Sequence, residues 1–538
     1  EASYIYNVKG QLEELTTSKG TIQYTYDTMG RLKEKAFPNG ITTEYSYNSV
    51  GHLEKINHSG NGFEDEYTYR YDMAGNKIGA CKQRQGMDAD SGSFRYSYDA
   101  LNRLTEVSRD ESPLRKYTYD AFGNRTVKED YSGQTVVQTA YRYNANNQLI
   151  GQISDEEEQT YAYDHRGNLI SVSRGEEQFR EFAFDAANRM HSAYEVKDGT
   201  GTWAEYTYNA FGNRIGQSIY SVEADDNIPK VTGQKPQNPE QQIFYTLDLT
   251  RQYHNLLMSE DKAEQKYQTF YWDGNVSAME EGETDSYYLQ DDLGSPMRLM
   301  DEEGEIRETY GFDEFGLNLN YHPEKQIQPF GYTGYQIEAA GGLYFAQARR
   351  YDAGAGRFVS EDFLKGFISA PFTLNHYGYC WNRPLDFVDL DGRIPTWAKV
   401  VGTVVAVAAV AALAVALTAV IAPATAATVV VATTVAGAAV GGVVGGVSNV
   451  VTGSGSFVNG FAGGAVNGAI SVGFAPVSLY ISNGFGGAVG SGITDKLNNA
   501  DKPEEEQKSP EEIRWSAFVA GAMQSLVGGS LGTLWENT

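Results

Sequence analysis

A short aromatic unit recurs along the first part of the chain and limits the folds that the chain can adopt. Each copy is built as Tyr-x-Tyr, or in one case Phe-x-Phe, followed by Asp or Asn, as in YTYDTMGRL, YSYDALNRL and YTYDAFGNR. The Asp or Asn stands at positions 7, 27, 48, 72, 99, 120, 144, 164, 185 and 209, so the period is 20 to 27 residues. A period of this length is typical of arrays in which each unit packs against its neighbours.

Each unit predicts a β-hairpin. Tyr-x-Tyr places two rings on one face of a strand, because strand side chains alternate. The Asp or Asn then starts a turn, and the Gly that most units carry shortly afterwards supplies a positive φ. A polar strand such as RLKEKAF returns, and no 3.6-residue apolar period indicates a helix. A lone hairpin cannot bury its aromatic face, so successive hairpins are expected to stack.

The hairpin pattern continues in looser form from Gly233 to about residue 330. Longer strands are predicted in IFYTLDLTRQYHNLLM and KYQTFYWDGNVSAMEE, with turns in QDDLGSP and DEEGE. A β-solenoid or propeller without any chemistry remains one interpretation of residues 1 to 240. Those residues carry no metal-ligand spacing, phosphate loop or nucleophile motif, so we expect no cofactor and no metal.

The stretch from Pro329 to Arg393 has a different character and joins the repeats to a tail of another composition. It reads PFGYTGYQIEAAGGLYFAQARRYDAGAGRFVSEDF, and it ends in NRPLDFVDLDGR. We therefore predict three parts: a β-shell over 1–330, a core over 331–393 and a mainly helical, Ala/Gly-rich C-terminal part over 394–538.

The residues of the first two parts resemble a known family. The YxYDxxGRL units resemble the YD repeats of bacterial Rhs proteins, teneurins and the C subunits of Tc toxin complexes. YYLQDDLGSPMRLMDEEGEIRETYGFDEFG is similar to the segment that leads into the Rhs-associated core, and GGLYFAQARRYDAGAGRF resembles the core signature. The resemblance implies a mainly β fold in which a spiral of hairpins forms a hollow cocoon, here N-terminally truncated. It also implies that the cocoon encloses the polypeptide that follows, which is typically a variable toxin.

The resemblance further implies that the core plugs the shell and is a single-turnover aspartyl-type autoprotease. The catalytic set of the family corresponds to Arg349, with Arg350 as a near alternative, to Asp362 in GRFVSED and to Asp389 in DFVDLDG. Two carboxyls that share a proton can serve as base and acid around a water molecule. A neighbouring guanidinium can keep one of them ionised or polarise the scissile carbonyl. The alternative is a purely structural, buried ion cluster that closes the shell.

Alignment with the family places the cut between Arg393 and Ile394. The ending here is Asp-Leu-Asp-Gly-Arg in place of the usual DPxGL, so the Pro and the final Leu are both missing. Asp386 and Asp391 are weaker candidates for the catalytic set, and His376 is expected to pack rather than to bind a ligand.

The tail is apolar and free of charge over a long distance. From Val400 to Thr494 it contains no Asp, Glu, Lys, Arg or His, and residues 400–422 are long enough to span a bilayer as a helix. Small residues at the spacing of close-packed membrane helices follow Pro423. Three interpretations stay open: a membrane-active or translocating effector, an Ala/Gly-rich helical bundle inside the cocoon, and a disordered cargo.

Nucleic-acid chemistry is disfavoured for this chain. The formal net charge is -27, whereas nucleic-acid binders present a basic face. The tail has no His, and only five Lys or Arg follow residue 393. Nucleases that depend on His, or on a basic groove, are therefore not expected there.

The sequence thus predicts an Rhs-family polymorphic toxin delivery protein that acts in interbacterial competition. Its shell would enclose a C-terminal effector that self-cleavage near Arg393 releases. The expected partners are a secretion or injection machinery, a cognate immunity protein and the target-cell membrane, and the expected location is secreted or cell-surface. The alternative is a structural adhesion protein of the cell surface, with an apolar anchoring tail and no proteolysis.

Overall fold

The structure is a computed structural model of the 538-residue chain. It describes residues 2–155, 157–175, 177–197, 199–223, 237–250, 255–319, 326–366 and 371–393. These residues lie in one compact unit, Glu1–Thr396. The predicted tail therefore falls outside the described residues, and so does Ile394.

A single antiparallel sheet of 27 strands dominates this unit, and each strand pairs with the next along the chain. No α-helix occurs among the described residues. The strands of this sheet are β1 Ser3–Tyr6, β2 Leu12–Thr16, β3 Thr21–Tyr26, β4 Leu32–Ala36, β5 Thr42–Tyr47, β6 Leu53–Gly60, β7 Phe63–Tyr71, β8 Lys77–Arg84, β9 Gly92–Tyr98, β10 Leu104–Arg109, β11 Ser112–Tyr119, β12 Arg125–Asp130, β13 Val137–Tyr143, β14 Leu149–Ser154, β15 Glu157–Tyr163, β16 Leu169–Arg174, β17 Glu177–Phe184, β18 Met190–Lys197, β19 Thr200–Tyr208, β20 Arg214–Glu223, β21 Gln241–Asp248, β22 Asn255–Asp261, β23 Lys266–Trp272, β24 Val276–Glu281, β25 Thr284–Gln290, β26 Pro296–Met300 and β27 Ile306–Thr309.

A second, four-stranded antiparallel sheet follows in the core. Its strands are β28 Gln336–Ile337, β29 Tyr344–Ala346, β30 Arg349–Asp352 and β31 Arg357–Phe358. Short 3-10 turns lie at Asp88–Asp90, Tyr332–Gly334, Pro371–Leu374 and Cys380–Asn382.

The Asp or Asn of each repeat organises the turn as predicted. The Oδ1 atom of Asp27 accepts the backbone N–H of Met29 and of Arg31, each at 2.9 Å. Gly30 closes the turn at φ +83°, a value that favours glycine. All ten repeat positions show the same pair of bonds to Oδ1. Three more turns of this kind lie at Asp291, Asp301 and Asp313, where the sequence pattern is looser.

The second aromatic residue of a unit ties it to the unit before. The hydroxyl of Tyr119 donates a 2.7 Å hydrogen bond to the carbonyl of Leu104, the first residue of the preceding return strand. A β-bulge directly before Tyr119 aims the ring, because a bulge adds a residue and increases the local twist. The equivalent hydroxyl bond is made by Tyr26, Tyr47, Tyr71, Tyr98, Tyr143 and Tyr208.

Early strands pack against late strands through buried ion pairs as well as apolar contacts. Arg298 of β26 binds Asp65 of β7, with 2.9 Å from Nε to Oδ2. Lys35 of β4 lies 2.6 Å from Asp273. The first tyrosine of several units, such as Tyr69 or Tyr117, is buried in the apolar core that this packing creates.

The prediction of a stacked array of β-hairpins is confirmed for the described residues. Within those residues, no helix is long and apolar enough to cross a membrane. The predicted membrane segment, 400–422, and the alternative fates of the tail lie outside them.

The hydroxyl bond between units makes a direct prediction. Tyr119→Phe removes the donor and leaves the carbonyl of the buried Leu104 without it, so we expect a loss of about 1 kcal/mol in the free energy of unfolding. Urea unfolding followed by circular dichroism measures it. Tyr267→Phe is the matched control, because that ring is 52% exposed and the loss of its hydroxyl should hardly change the free energy of unfolding. Equal losses in the two variants would contradict this role.

Candidate functional site

The small sheet carries a cluster of aromatic rings that fixes the candidate site. Tyr351 of β30 lies 4.2 Å from Tyr379 and 5.7 Å from Phe358, measured between ring centroids. The Tyr351 hydroxyl donates to the carbonyl of Phe315 at 2.6 Å, and the Tyr344 hydroxyl donates to that of Gly316 at 3.0 Å. The core is thereby anchored to the end of the repeat region.

The core also packs along the turns of successive repeats. The Tyr377 hydroxyl donates to the carbonyl of Gly167 at 2.9 Å, and Nδ2 of Asn382 donates to that of Gly123 at 2.8 Å. Further along, Asp386 accepts the backbone N–H of Lys77 at 3.0 Å. The residues of 329–393 therefore touch turns that are distant from each other in sequence.

Arg349 is the centre of the predicted polar set. Its Nη2 atom lies 2.9 Å from Oδ2 of Asp362 and 3.4 Å from Oδ2 of Asp389. Nη1 donates to the His376 carbonyl at 2.8 Å, and Nε donates to the Gly392 carbonyl. The guanidinium also stacks on a phenyl ring, 3.7 Å from its centroid, and so it is held in one orientation. The structure thus brings the three predicted residues together.

Strand alternation separates Arg350 from this set. Adjacent residues of a strand point to opposite faces, and the Nε atom of Arg350 pairs with Glu338 at 2.9 Å on the other side of β30. Its Nη2 atom donates a hydrogen bond to the Tyr208 hydroxyl at 2.8 Å. Glu338 also binds Arg214 of β20, at 2.6 Å. Arg350 is therefore part of an ion cluster between core and repeats, and not a member of the candidate site.

Both carboxyls of the site are buried, and burial raises the pKa of each. The pKa of Asp389 is raised to about 7, mainly by burial, while Arg349 opposes the shift and Asp391 adds to it. The pKa of Asp362 is also raised by burial, and Arg349 again opposes the shift. Two carboxyls next to one guanidinium nitrogen favour a state in which one of them keeps its proton.

Asp389 starts a turn that shares two hydrogen bonds with the repeat turns. Its Oδ1 accepts the backbone N–H of Arg393 at 3.0 Å, and its carbonyl accepts that of Gly392 at 3.3 Å. Asp27 makes the same two bonds to Arg31 and Gly30, at 2.9 and 3.0 Å. The core thus ends in Asp-Leu-Asp-Gly-Arg, folded into a turn that resembles the YD turn.

The environment of the two turns differs at the second carboxylate oxygen. In the repeat, the Arg31 side chain binds Oδ2 of Asp27, and backbone hydrogen bonds lead in lowering the pKa of that carboxyl. In the core, Oδ2 of Asp389 is contacted by Arg349 and not by the arginine of its own turn, because the side chain of Arg393 is exposed. The pKa of the turn carboxyl is therefore lowered at Asp27 in the repeat and raised at Asp389 in the core.

The other predicted candidates have structural contacts. Asp386 binds the Lys77 backbone and Arg383, away from Arg349. Asp391 lies close enough to influence the pKa of both site carboxyls. The His376 ring contacts Glu361 at 2.9 Å and the Lys365 carbonyl at 3.1 Å. The described residues contain no group of three or more His, Cys, Asp or Glu placed to hold a metal.

A cavity of about 780 Å³ opens beside the site. Arg349, Asp362 and the backbone of Gly392 line it, whereas Asp389 is 1% exposed and lies behind them. Water can therefore approach the site from the side of Asp362.

Sequence reasoning missed two residues that support the site. The hydroxyl of Tyr335 donates to the Asp389 carbonyl, and the Phe358 ring carries the Arg349 guanidinium. Both are aromatic residues in a tyrosine-rich core, and only tertiary packing distinguishes them from their neighbours. The turn at Asp389 could have been found, because DLDGR has the Asp-x-x-Gly-Arg spacing of DTMGR in the repeats.

Comparison with known proteins agrees with this architecture. The family model of the teneurin YD-shell matches residues 129–385. The toxin protein Tse5 of Pseudomonas aeruginosa is 26% identical over 409 residues, which are 69% of this chain and 30% of Tse5. The tRNA nuclease WapA of Bacillus subtilis is 26% identical over 395 residues, which are 72% of this chain and 15% of WapA. The repeats and the core of this chain are thus similar to those of Rhs/YD-repeat shell proteins.

A teneurin and a solved structure of a TcdB2-TccC3 complex are also similar to this chain. Chicken (Gallus gallus) teneurin-1 is 23% identical over 354 residues, which are 62% of this chain and 12% of teneurin-1. The crystal structure of TcdB2-TccC3-Cdc42 shares the fold, with a TM-score of 0.56, 18% identity and coverage of 73% of this chain and 20% of that chain. This YD-repeat chain spans less than a third of the length of the curated relatives named here.

The raised pKa of Asp389 predicts a pH-dependent cost. Because its folded pKa of about 7 exceeds the usual 3.8, the folded state holds the proton more tightly, and stability falls as pH rises between these values. In an Asp362→Asn background, adding Asp389→Asn should therefore stabilise the protein more at pH 8 than at pH 5, by roughly 2 kcal/mol. Burial, the main cause of the shift, is unchanged in that background.

Urea unfolding at the two pH values measures this difference. Asp88→Asn in the same background is the control, because Asp88 is exposed and lies outside the candidate site. A gain from Asp389→Asn that is the same at pH 5 and pH 8 would show that Asp389 is ionised in the folded protein throughout this range.

Proposed function

We propose that this chain is a toxin-delivery protein whose YD-repeat shell encloses an apolar effector and releases it by self-cleavage near Arg393. The observation that carries the proposal is the arrangement of Arg349, Asp362 and Asp389 directly before the end of the core. A pair of buried carboxyls around one guanidinium can serve as a general acid–base site. The peptide unit of residues 392 and 393 lies within hydrogen-bond distance of both Arg349 and Asp389.

The chemistry needs one ionised and one protonated carboxyl. The ionised carboxyl takes a proton from water as the water oxygen attacks a peptide carbonyl, and the protonated carboxyl gives its proton to the leaving nitrogen. The C–N bond breaks, and a carboxyl group and an amine form. Arg349 stabilises the negative charge that develops on the carbonyl oxygen. One turnover per molecule is sufficient, so a slow reaction serves the purpose.

The relatives support the delivery role. Tse5 is a toxin protein and WapA is a tRNA nuclease, and the chain matches both over about 70% of its own length. The structure of TcdB2-TccC3 without its hypervariable C-terminal region matches with a TM-score of 0.54 over 73% of this chain. A secreted or cell-surface location, a secretion or injection machinery and an immunity protein as partners follow from this role.

The effector in the proposal is the charge-free tail. Residues 400–494 contain no Asp, Glu, Lys, Arg or His, so they differ from a nuclease, which needs basic residues to hold its substrate. A segment of this kind aggregates or inserts into lipid when it is exposed, and a surrounding shell would prevent both. We propose that the target of the tail is a membrane.

The YD-shell match to teneurin favours one other function. Under this second function, the chain is a structural surface protein, the Arg349 cluster only closes the shell, and the tail is an anchor. Self-cleavage distinguishes the two functions.

Purified wild-type protein is expected to run as two pieces on a denaturing gel, a shell piece and a tail piece. Asp362→Asn and Asp389→Asn should each abolish the cut, because loss of a general acid or base typically slows a reaction about 10²- to 10⁴-fold. Glu314→Gln is the control, since it alters a different buried carboxyl, bound to Arg115 at 2.8 Å, and should leave the cut intact. A folded wild-type protein that stays in one piece would refute the protease.

Membrane activity is tested on the full chain. After unfolding in urea and dilution onto phosphatidylcholine–phosphatidylglycerol vesicles, the wild-type tail should float with the lipid. Leu413→Asp places a carboxylate in the centre of 400–422 and should reduce flotation, because such a charge costs about 3 kcal/mol in a bilayer helix. Leu413→Ala is the matched control and should float like the wild type. Equal flotation of the Asp and Ala variants would exclude insertion through this segment.

A further inference from the structure

Two side chains of the candidate site hold one peptide unit from both ends. Nε of Arg349 donates to the carbonyl oxygen of Gly392. Oδ1 of Asp389 lies 3.0 Å from the backbone nitrogen of Arg393 and accepts its hydrogen. The carbonyl and the nitrogen belong to the same peptide bond. We infer that the bond cut by the site is Gly392–Arg393, one residue before the position that alignment gives; this rests on the proposed self-cleavage.

The Gly392 carbonyl is fixed in its position beside Arg349. Gly392 has φ +67°, and a Cβ at this position would lie 2.4 Å from the Ala346 carbonyl oxygen. The preceding carbonyl, of Asp391, accepts the backbone N–H of Ala348 at 3.1 Å. Only glycine fits here, and the backbone on either side of it is hydrogen-bonded. A carbonyl held in this way against a guanidinium is polarised before the reaction begins.

The two carboxyls divide between the two ends of this bond. Asp362 lines the cavity from which water can approach the Gly392 carbonyl carbon, so it is the base. Asp389 is 1% exposed and contacts the Arg393 nitrogen, so it is the acid. The water oxygen bonds to the Gly392 carbon, its proton passes to Asp362, and the Asp389 proton passes to the nitrogen as the C–N bond breaks. The products are a C-terminal Gly392 carboxyl and a new N-terminal Arg393 amine.

The hydrogen bond to Asp389 alone does not select a bond, because every repeat turn has its equivalent. In the repeat turn of Asp27, however, a glutamine amide contacts the Gly30 carbonyl, at 2.8 Å. Within the described part of the chain, no second carboxyl shares the Arg31 guanidinium with Asp27. Among the described residues, the carbonyl of Arg393 receives no hydrogen bond from Arg349. Arg349 also donates to the His376 carbonyl at 2.8 Å, but the N–H of that peptide unit, from Tyr377, is bound by Asn375 at 3.2 Å. The carbonyl of the Gly392–Arg393 unit contacts Arg349 and its N–H contacts a carboxyl of the site.

The decisive experiment reads both new ends of the wild-type protein. Intact mass spectrometry of the shell piece and N-terminal sequencing of the tail piece should place the ends at Gly392 and Arg393, and the two readings must be complementary, which excludes later trimming. Complementary ends at Arg393 and Ile394 would overturn this assignment and leave self-cleavage standing. A folded, uncut wild-type protein would overturn self-cleavage and this assignment together.

Three variants test the same bond independently. Arg393→Pro removes the N–H that Asp389 accepts and should abolish the cut. Ile394→Pro alters only the following bond and should be cut like the wild type, as should Arg393→Ala, which keeps the backbone N–H and changes an exposed side chain. Equal thermal midpoints of the four proteins show that folding is unaffected. Loss of the cut in Ile394→Pro, with retention in Arg393→Pro, would place the reaction at the following bond.

Discussion

The inability of one hairpin to bury its own aromatic face governs this molecule. Each YD unit solves the problem with its neighbour: the first tyrosine fills the common core, and the second gives its hydroxyl to the preceding unit, as Tyr119 does to Leu104. Because most units repeat this contact, stability accumulates along the array rather than in one centre. A core segment that touches many turns at once can then be held in one place, and a precise polar site becomes possible at its end.

The turn of the repeat is also the element that the site reuses. Asp389 folds its own turn as Asp27 does, with the carboxyl on the i+4 N–H and the glycine at positive φ. What changes is the surrounding charge and burial. The repeat carboxyl is near solvent and next to its own arginine, whereas Asp389 shares Arg349 with Asp362 in a nearly dry environment. A structural turn has in this way become the place where a backbone bond and a buried acid meet.

Much of this could be predicted from the sequence, because turn chemistry and strand alternation are local. The repeats and the antiparallel hairpins depend on short spacings, whereas the set of Arg349, Asp362 and Asp389 came from the family resemblance. The bulge before each second tyrosine could not be predicted, since it depends on the twist between strands. The choice of Arg349 over Arg350 also required the structure, because it depends on which face of β30 meets Glu338.

The balance of charge distinguishes the candidate site from the structural ion pairs of the same fold. At Glu338, burial acts to raise the pKa, but Arg214 and Arg350 outweigh it and the pKa is lowered. Glu314 behaves alike, since Arg115 outweighs burial. At Arg349 one guanidinium serves two carboxyls, burial prevails, and both pKa values are raised. A cluster selected only to hold the shell closed would gain from neutrality, because an unpaired buried charge costs more than its partner returns. The excess carboxyl lowers the stability of the folded protein. As a result, the site holds a proton near neutral pH beside a polarised peptide bond.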